Sequence, residues 1–371
     1  MAEKNTSTPP RKTEDNGGIM LMLLIFILAG AFSSIAQEMG CVDSVVNLTL
    51  AILPGNFILV GMFIAACLVS LSIGTSCGTI AALTPIAVGI ATATSANVPM
   101  ATAVVVGGSL FGDNLSFISD TTIMATKTQG CRMSDKFKAN ILIALPAALL
   151  TVVAYMFLGY GIESQTALNL GNPLNILPYL VVFVLALAGM NVIWVLIMGI
   201  LTASALGFFD GSMDMASIWE ATQKGILGMH DLIIVTILAA VIIDQLRKRG
   251  VIDWLIMNLG RIVSSRRGAE LSIAGAVVAV DMLTANNTIA ILAVGPVARS
   301  ISYRYGIEAK RSASILDTMS CFAQGIIPWG AQLLIAAGLA SINPLDIIPY
   351  LYYPYNLGTI TIINIIFHKK K

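Results

Sequence analysis

The chain has 371 residues, of which 57% are hydrophobic and only 11% are charged, with a mean hydropathy of +0.85. Soluble globular proteins carry about 25% charged residues, so the composition excludes that class and predicts an integral membrane protein. The net charge of +1 gives no electrostatic basis for binding nucleic acid. Five scattered cysteines and two histidines argue against a disulfide framework and against a histidine metal site.

Hydrophobic runs divide the chain into two halves and a middle segment. The first run, 18–37, is longer than the 7–15-residue core of a signal peptide, which favours a transmembrane helix. The predicted units are a cytosolic polar tail (1–17), a first transmembrane repeat (18–160), a linker (161–227) with an unpaired hydrophobic hairpin (174–208), a second transmembrane repeat (228–367) and a basic C-terminal tail (368–371).

Short sequence matches relate the two halves at an offset of 204–210 residues. Residues 72–81 align with residues 281–290, and the pattern Asp-x-x-Ser at the start of 113–120 recurs at the start of 317–324. Each match is short, but their shared order and nearly constant offset argue against chance. The sequence therefore predicts an internal duplication.

Basic residues concentrate in five clusters, and the positive-inside rule places all five in the cytoplasm, with both termini inside. Segment 57–94 then becomes a re-entrant hairpin and 98–126 a broken crossing, while 270–298 and 311–340 start from the opposite side. The sequence predicts an all-α polytopic membrane protein with two inverted structural repeats, re-entrant hairpins and broken transmembrane helices. We expect it to span the lipid bilayer of the cell (inner) membrane.

The first broken crossing concentrates polar side chains between apolar flanks. Dense oxygen ligands suit a hard cation, or a cation and a proton that compete for one carboxylate. The candidate ligands here are Asp113, Asn114, Ser116, Ser119, Asp120, Thr121 and Thr122, with Asp113 and Asp120 as sodium ligands. The alternative is structural: Ser and Thr pack between helices, and an Asp caps a half-helix.

The second crossing and the two hairpin tips supply further candidates. Opposed half-helix N-termini at the tips can point positive dipole ends at an anion, while freed carbonyls face a cation. The alternative is that the glycines of the tips serve close helix packing. The candidates are Asp317, Ser320 and Gln324 in the crossing, Thr75, Ser76 and Thr79 at the first tip, and Asp281, Thr284, Asn286, Asn287 and Thr288 at the second. Asp281 is open to three roles: a helix cap, a cation ligand or a proton carrier.

Two motifs resemble the NhaC family of Na⁺/H⁺ antiporters. Residues 74–79, Gly-Thr-Ser-Cys-Gly-Thr, followed by 84–87, are similar to its GTSxGT…PIA signature, and 107–123 contains the family's GDxxSxISDTT stretch. The resemblance spans roughly 18–367 and implies a secondary transporter with inverted repeats, assembled as a homodimer. Asn114 and Phe117 depart from the pattern, since members often have His and Pro there.

Two functions remain open from the sequence. The first is exchange of Na⁺ for H⁺ through competition at an intramembrane carboxylate; the second is Na⁺- or H⁺-coupled transport of an organic acid or amino acid. Nearly all basic residues fall in predicted loops, so no buried Arg or Lys is expected for a substrate anion, which favours the small cation. Without a P-loop or a nucleophile elbow we expect no enzyme and no cofactor, only Na⁺ and H⁺ as transported ions.

Overall fold

The computed structural model describes residues 16–53, 55–94, 96–117, 119–162, 173–251, 254, 258 and 265–367. Nearly all of the predicted N-terminal tail and the whole basic C-terminal tail lie outside these residues. The regular secondary structure of the described residues is helical, and seven helical segments among them are long and apolar enough to cross a membrane. The predicted all-α polytopic class is confirmed.

The helices are numbered here in chain order over the described residues. They are α1 (Asn16–Glu38), α2 (Cys41–Ile52), α3 (Ile58–Ile73), α4 (Ser76–Ala93), α5 (Val98–Leu115), α6 (Asp120–Gln129), α7 (Met133–Leu158), α8 (Leu177–Leu187), α9 (Val192–Phe209), α10 (Met215–Leu227), α11 (His230–Lys248), α12 (Arg266–Thr284), α13 (Asn287–Tyr305), α14 (Ala309–Ile326), α15 (Ala331–Ala340), α16 (Pro344–Ile347) and α17 (Tyr352–Phe367).

Four helix breaks lie where the sequence predicts hairpin tips and broken crossings. Helices α3 and α4 meet at Gly74, whose left-handed backbone (φ 74°) ends α3, and α12 and α13 meet at Ala285, which is also left-handed (φ 49°). The extended residues Ser116 and Ser119 lie between α5 and α6, and residues 327–330 separate α14 from α15. The two broken crossings are thereby confirmed.

The two halves place these breaks at one constant spacing. Gly74 and Ala285 are 211 positions apart, and so are Asp120 and Ala331, the first residues of α6 and α15. The matches at 204–210 differ from this spacing by up to seven residues, about two helical turns. Because residues two turns apart lie on the same helix face, a match by residue type can shift by this amount and still pair small and hydroxyl side chains. The inverted relation of the two halves stays a prediction.

The described part of the linker contains one helix more than the predicted hairpin. Helices α8 and α9 pack together over the span predicted as a hydrophobic hairpin, and Met215–Leu227 forms α10 against α1. Asp214 begins α10: its carboxylate accepts the N–H of Ser217 at 2.8 Å, and the Ser217 hydroxyl lies 2.8 Å from the N–H of Asp214. The Ser217 N–H and hydroxyl both donate to the Asp214 carboxylate, and these two hydrogen bonds lower the pKa of this exposed carboxyl.

Buried apolar side chains form two clusters. The larger cluster combines helices of the first half with α8, α9, α15 and part of α17. The smaller cluster combines α12, α13 and α14 with Ala125 of α6 and Ile365 of α17. Because α6 packs into the second half and α15 packs against α4, the two halves interlock at their breaks.

Close packing of α5 against α3 sets the position of the break between α5 and α6. A Cβ on Gly108 would lie 2.6 Å from the Cβ of Ala66 and 2.7 Å from the carbonyl oxygen of Phe63, and one on Gly112 would overlap Ser70. The Ser70 hydroxyl donates to the carbonyl oxygen of Ser109. Only glycine lets the two backbones approach this closely.

Gly108→Val tests this contact. We expect the variant to lose about 1–3 kcal/mol of stability, because the added side chain must force α5 away from α3. The control is Gly275→Val in α12, where an added Cβ would meet nothing within 4 Å. Thermal unfolding of the two purified variants in detergent measures the difference. Equal melting of both variants would contradict the tight α3–α5 contact.

Candidate functional site

Asp113 lies buried at the end of α5, beside the break in the first half. Its Oδ1 accepts the N–H of Ser76, the first residue of α4, at 3.2 Å. The start of a helix carries free N–H groups and a positive partial charge, so this carboxylate is stabilised by α4. The carbonyl oxygen of Asp113 accepts the hydroxyls of Thr121 and Thr122 at 3.2 and 3.4 Å, which ties α5 to α6 across the break.

Lys136 of α7 is the largest departure from the sequence prediction. Lys136 belongs to the basic cluster at 127–138, one of the five that the sequence places in the cytoplasm. Its side chain is nevertheless 1% exposed, and its Nζ lies 2.9 Å from Oδ2 of Asp317 in α14. The ammonium also donates to the carbonyl oxygen of Asn114 at 2.9 Å and to the Thr122 hydroxyl at 2.6 Å. The expectation that no Lys or Arg is buried was therefore wrong.

Asn140, one turn along α7, completes the same arrangement and was also missed. Its Nδ2 donates to Oδ2 of Asp317 at 2.6 Å and to the carbonyl oxygen of Asn114 at 2.9 Å. One signal in the sequence could have revealed the pair. Lys136 and Asn140 are four residues apart and share a helix face at the start of a long apolar run, whereas the neighbouring Lys138 is exposed.

A chain of side-chain amides joins the breaks of the two halves. Gln332 Nε2 donates to the Ser76 hydroxyl at 3.0 Å, and Gln324 Nε2 donates to Gln332 Oε1 at 2.6 Å and to the carbonyl oxygen of Ala285 at 3.2 Å. At the spacing of 211, Gln324 is the counterpart of Asp113. Each of the two side chains therefore reaches from the break in a crossing to the hairpin break of the same half.

Several buried oxygens of this region have no hydrogen-bond partner within the described part of the chain. They are both carboxylate oxygens of Asp281, Oδ1 of Asp317, Oδ1 of Asn114, Oδ1 of Asn140 and Oε1 of Gln324. The amide orientations are fixed, because the Nδ2 or Nε2 of each of these three amides donates to a main-chain carbonyl. An unpartnered buried acceptor is costly unless a proton or a cation meets it.

Other predicted residues make local bonds that shape the breaks. Asn286 caps α13 by accepting the N–H of Ile289 at 3.1 Å, and Thr75 is the extended residue before α4. Four hydroxyls donate to main-chain carbonyls: Ser116 to Leu71, Thr79 to Thr75, Thr284 to Asn286 and Ser320 to Asp317.

The remaining predicted residues differ in exposure. The Ser119 and Thr121 hydroxyls are hydrogen-bonded to each other at 2.7 Å, both of them buried. The side-chain oxygen of Asn287 accepts the N–H of Thr288, at 2.9 Å. Asp120 is exposed as the first residue of α6, a place where the helix dipole favours a carboxylate. Asp120 is therefore exposed, whereas Asp113, Asp281 and Asp317 are buried.

Lys136→Met tests the buried ion pair. Removing the ammonium leaves Asp317 as an uncompensated buried charge, so we expect a loss of about 3–5 kcal/mol in stability. The double variant Lys136→Met/Asp317→Asn should regain part of that loss, because no charge is then left unpaired. Lys138→Met on the same helix is the matched control, and unfolding in detergent is the measurement. A double variant no more stable than Lys136→Met would contradict the pairing.

Comparison with known proteins places the sequence in a family. A model of the Na⁺/H⁺ antiporter family matches residues 15–160 and 170–369. The Na⁺/H⁺ antiporter NhaC of Alkalihalophilus pseudofirmus is 24% identical over 91% of this chain and 80% of its own length. NhaC of Bacillus subtilis is 22% identical over 93% of this chain and 83% of its own length.

A third relative is named for a different exchange. The malate-2H⁺/Na⁺-lactate antiporter of Bacillus subtilis is 19% identical over 90% of this chain and 78% of its own length. The family match covers nearly the whole sequence, including both halves and their breaks, and the described helices include seven apolar segments of membrane-spanning length. The chain is a multi-pass membrane protein and belongs to the Na⁺/H⁺ antiporter family.

Proposed function

We propose that the protein exchanges Na⁺ for H⁺ across the cytoplasmic membrane. The observation that carries the proposal is the carboxylate of Asp113, buried at a helix break and held by the main-chain N–H of Ser76. Buried carboxylates at interrupted membrane helices mark ion and proton paths in transporters. Family membership and the NhaC relatives support the same activity.

Competition at one carboxylate couples the two ions. Asp113 binds Na⁺ when it is deprotonated, and a proton arriving at the same oxygens displaces the ion. One carboxylate cannot hold Na⁺ and H⁺ at the same time. If the site changed sides with neither ion bound, the buried carboxylate would be left unpaired, which is costly. Asp120, exposed at the start of α6, is proposed to attract the cation toward the crossing.

Coupled transport of an organic acid is the alternative that the sequence leaves open. A substrate carboxylate needs a positive group, and Lys136 is buried in the crossing. Its ammonium has three donors, and all three have partners in Asn114, Thr122 and Asp317. This engagement supports the small cation over an organic anion.

We further propose that the chain lies in the cell (inner) membrane as a homodimer of two inverted repeats, with both termini in the cytoplasm. The clusters of basic residues support this orientation. Neither an additional cofactor nor a nucleic acid is required for the exchange.

Proton movement in liposomes tests the exchange. With a pH-sensitive dye inside and a Na⁺ gradient as the driving force, we expect the wild type to move protons without any organic solute. Asp113→Asn should fall to the level of empty liposomes, because an amide neither titrates nor offers a negative charge. Asp120→Asn should retain exchange at a lower apparent affinity for Na⁺.

Asp214→Asn serves as the control for loss of a carboxylate, since Asp214 is exposed and Asn is an equally good helix cap. Wild-type protein that moves protons only after malate, lactate or an amino acid is added would overturn Na⁺/H⁺ exchange in favour of the organic substrate. Full activity in Asp113→Asn would remove Asp113 from the mechanism.

Cysteine labelling tests the orientation. In a cysteine-free background, Tyr303→Cys, at a side chain that is 93% exposed beside a basic cluster, should react with a membrane-impermeant maleimide only from the cytoplasmic side. Ser212→Cys, between α9 and α10, should react only from outside. Labelling of both positions from the same side would show that the proposed orientation is wrong.

A further inference from the structure

Asp281 is the buried carboxylate that the Asp113 mechanism leaves unexplained. It is 0% exposed, and neither of its oxygens has a hydrogen-bond partner within the described residues. No ion pair in that part of the chain includes Asp281 either. A bare buried carboxylate is too costly to persist, so a proton or a cation must neutralise it.

The helix that carries Asp281 favours a positive partner. Asp281 lies in the last turn of α12, four residues before Ala285, where the break begins. The end of a helix presents free carbonyls and a negative partial charge, which repels a carboxylate and attracts a cation. Asp113 differs in that the start of α4 supplies its carboxylate with a main-chain N–H.

Gln324 supplies another oxygen at the same break. Its Nε2 is committed to the carbonyl oxygen of Ala285 and to Gln332, which leaves Oε1 as a buried acceptor without a partner among the described residues. The main-chain N–H of Gln324 also faces the Asp281 carboxyl, but this contact does not reach the distance and angle of a hydrogen bond. The free atoms contributed by the two side chains are three oxygens, the ligand type that hard cations take.

We propose that Asp281 and Gln324 form a second Na⁺ site, separate from Asp113 and placed in the second half of the chain. The inference rests on the proposed Na⁺/H⁺ exchange for its choice of ion. Each half then holds one cation at its own hairpin break, through the corresponding positions Asp113 and Gln324. The protein binds two Na⁺ per protomer.

The other buried charged groups near the breaks already have partners. Asp113, Asp281, Asp317 and Lys136 all lie within electrostatic range of the buried Cys321 thiol of α14. Asp317 is paired with Lys136 at 2.9 Å and already has its cation. Among the described residues, Asp281 is the group of this set that has neither an ion pair nor a helix N-terminus as its partner.

Equilibrium binding of ²²Na⁺ to the purified protein in an alkaline buffer tests the second site by counting ions. We expect two Na⁺ per wild-type protomer, one in Asp281→Asn, one in Asp113→Asn and none in the double variant. Asp214→Asn is the matched control and should bind two. An Asp281→Asn variant that binds as many ions as the wild type, with the same affinity, overturns the proposal and leaves Asp281 as a protonated acid.

A second variant tests the site without removing a charge. Gln324→Met removes the ligand oxygen without changing the charge and should weaken binding of one of the two ions, whereas wild-type binding in Gln324→Met would count against the site. Thermal unfolding verifies that each variant is folded. Proton movement in liposomes is measured separately: two bound Na⁺ without exchange would reject the proposed function and keep the site, whereas exchange with one bound Na⁺ would reject the site alone.

Discussion

Backbone groups freed at four helix breaks need partners inside the protein, because lipid offers none. The structure meets this requirement with side chains from neighbouring helices. Asp113 accepts a free N–H at the start of α4, Lys136 donates to the carbonyl of Asn114 near the end of α5, and Gln324 donates to the carbonyl of Ala285. The side chains that satisfy the breaks are thus the polar groups available to an ion, so one constraint produces both the fold and the site.

The three buried carboxylates near the helix breaks differ in how their charge is compensated. Asp317 has a lysine at 2.9 Å, Asp113 has a helix N-terminus, and Asp281 has neither within the described residues. A buried charge that is permanently paired holds helices together but cannot exchange its partner cheaply. The less compensated carboxylates are therefore the ones suited to exchanging a proton for a cation.

Equal helix order does not make the two halves chemically equal. At the spacing of 211, the counterpart of Asp113 is Gln324, and the counterpart of Asp281 is Ser70, whose hydroxyl bonds to the carbonyl of Ser109. The first half carries Asp113 on its crossing, whereas the second half carries Asp281 on its hairpin and Asp317 on its crossing. Matching polar residues by type therefore slips the alignment by up to two turns relative to the helix breaks.

The sequence alone determined the membrane class, both broken crossings and the family resemblance, because charge content, breaks at Gly, Pro and polar clusters, and the GDxxSxISDTT stretch are local properties. It also identified Asp113, Asp281, Asp317 and Gln324 as polar groups too costly to bury without a purpose. Only the tertiary structure decided that Lys136 pairs with Asp317 while Lys138 is exposed. The positive-inside rule describes a cluster of basic residues as a whole. The burial of one lysine depends instead on which helix packs against the side of α7 that carries it. Here that contact joins Lys136 to Asp317, which are 181 positions apart.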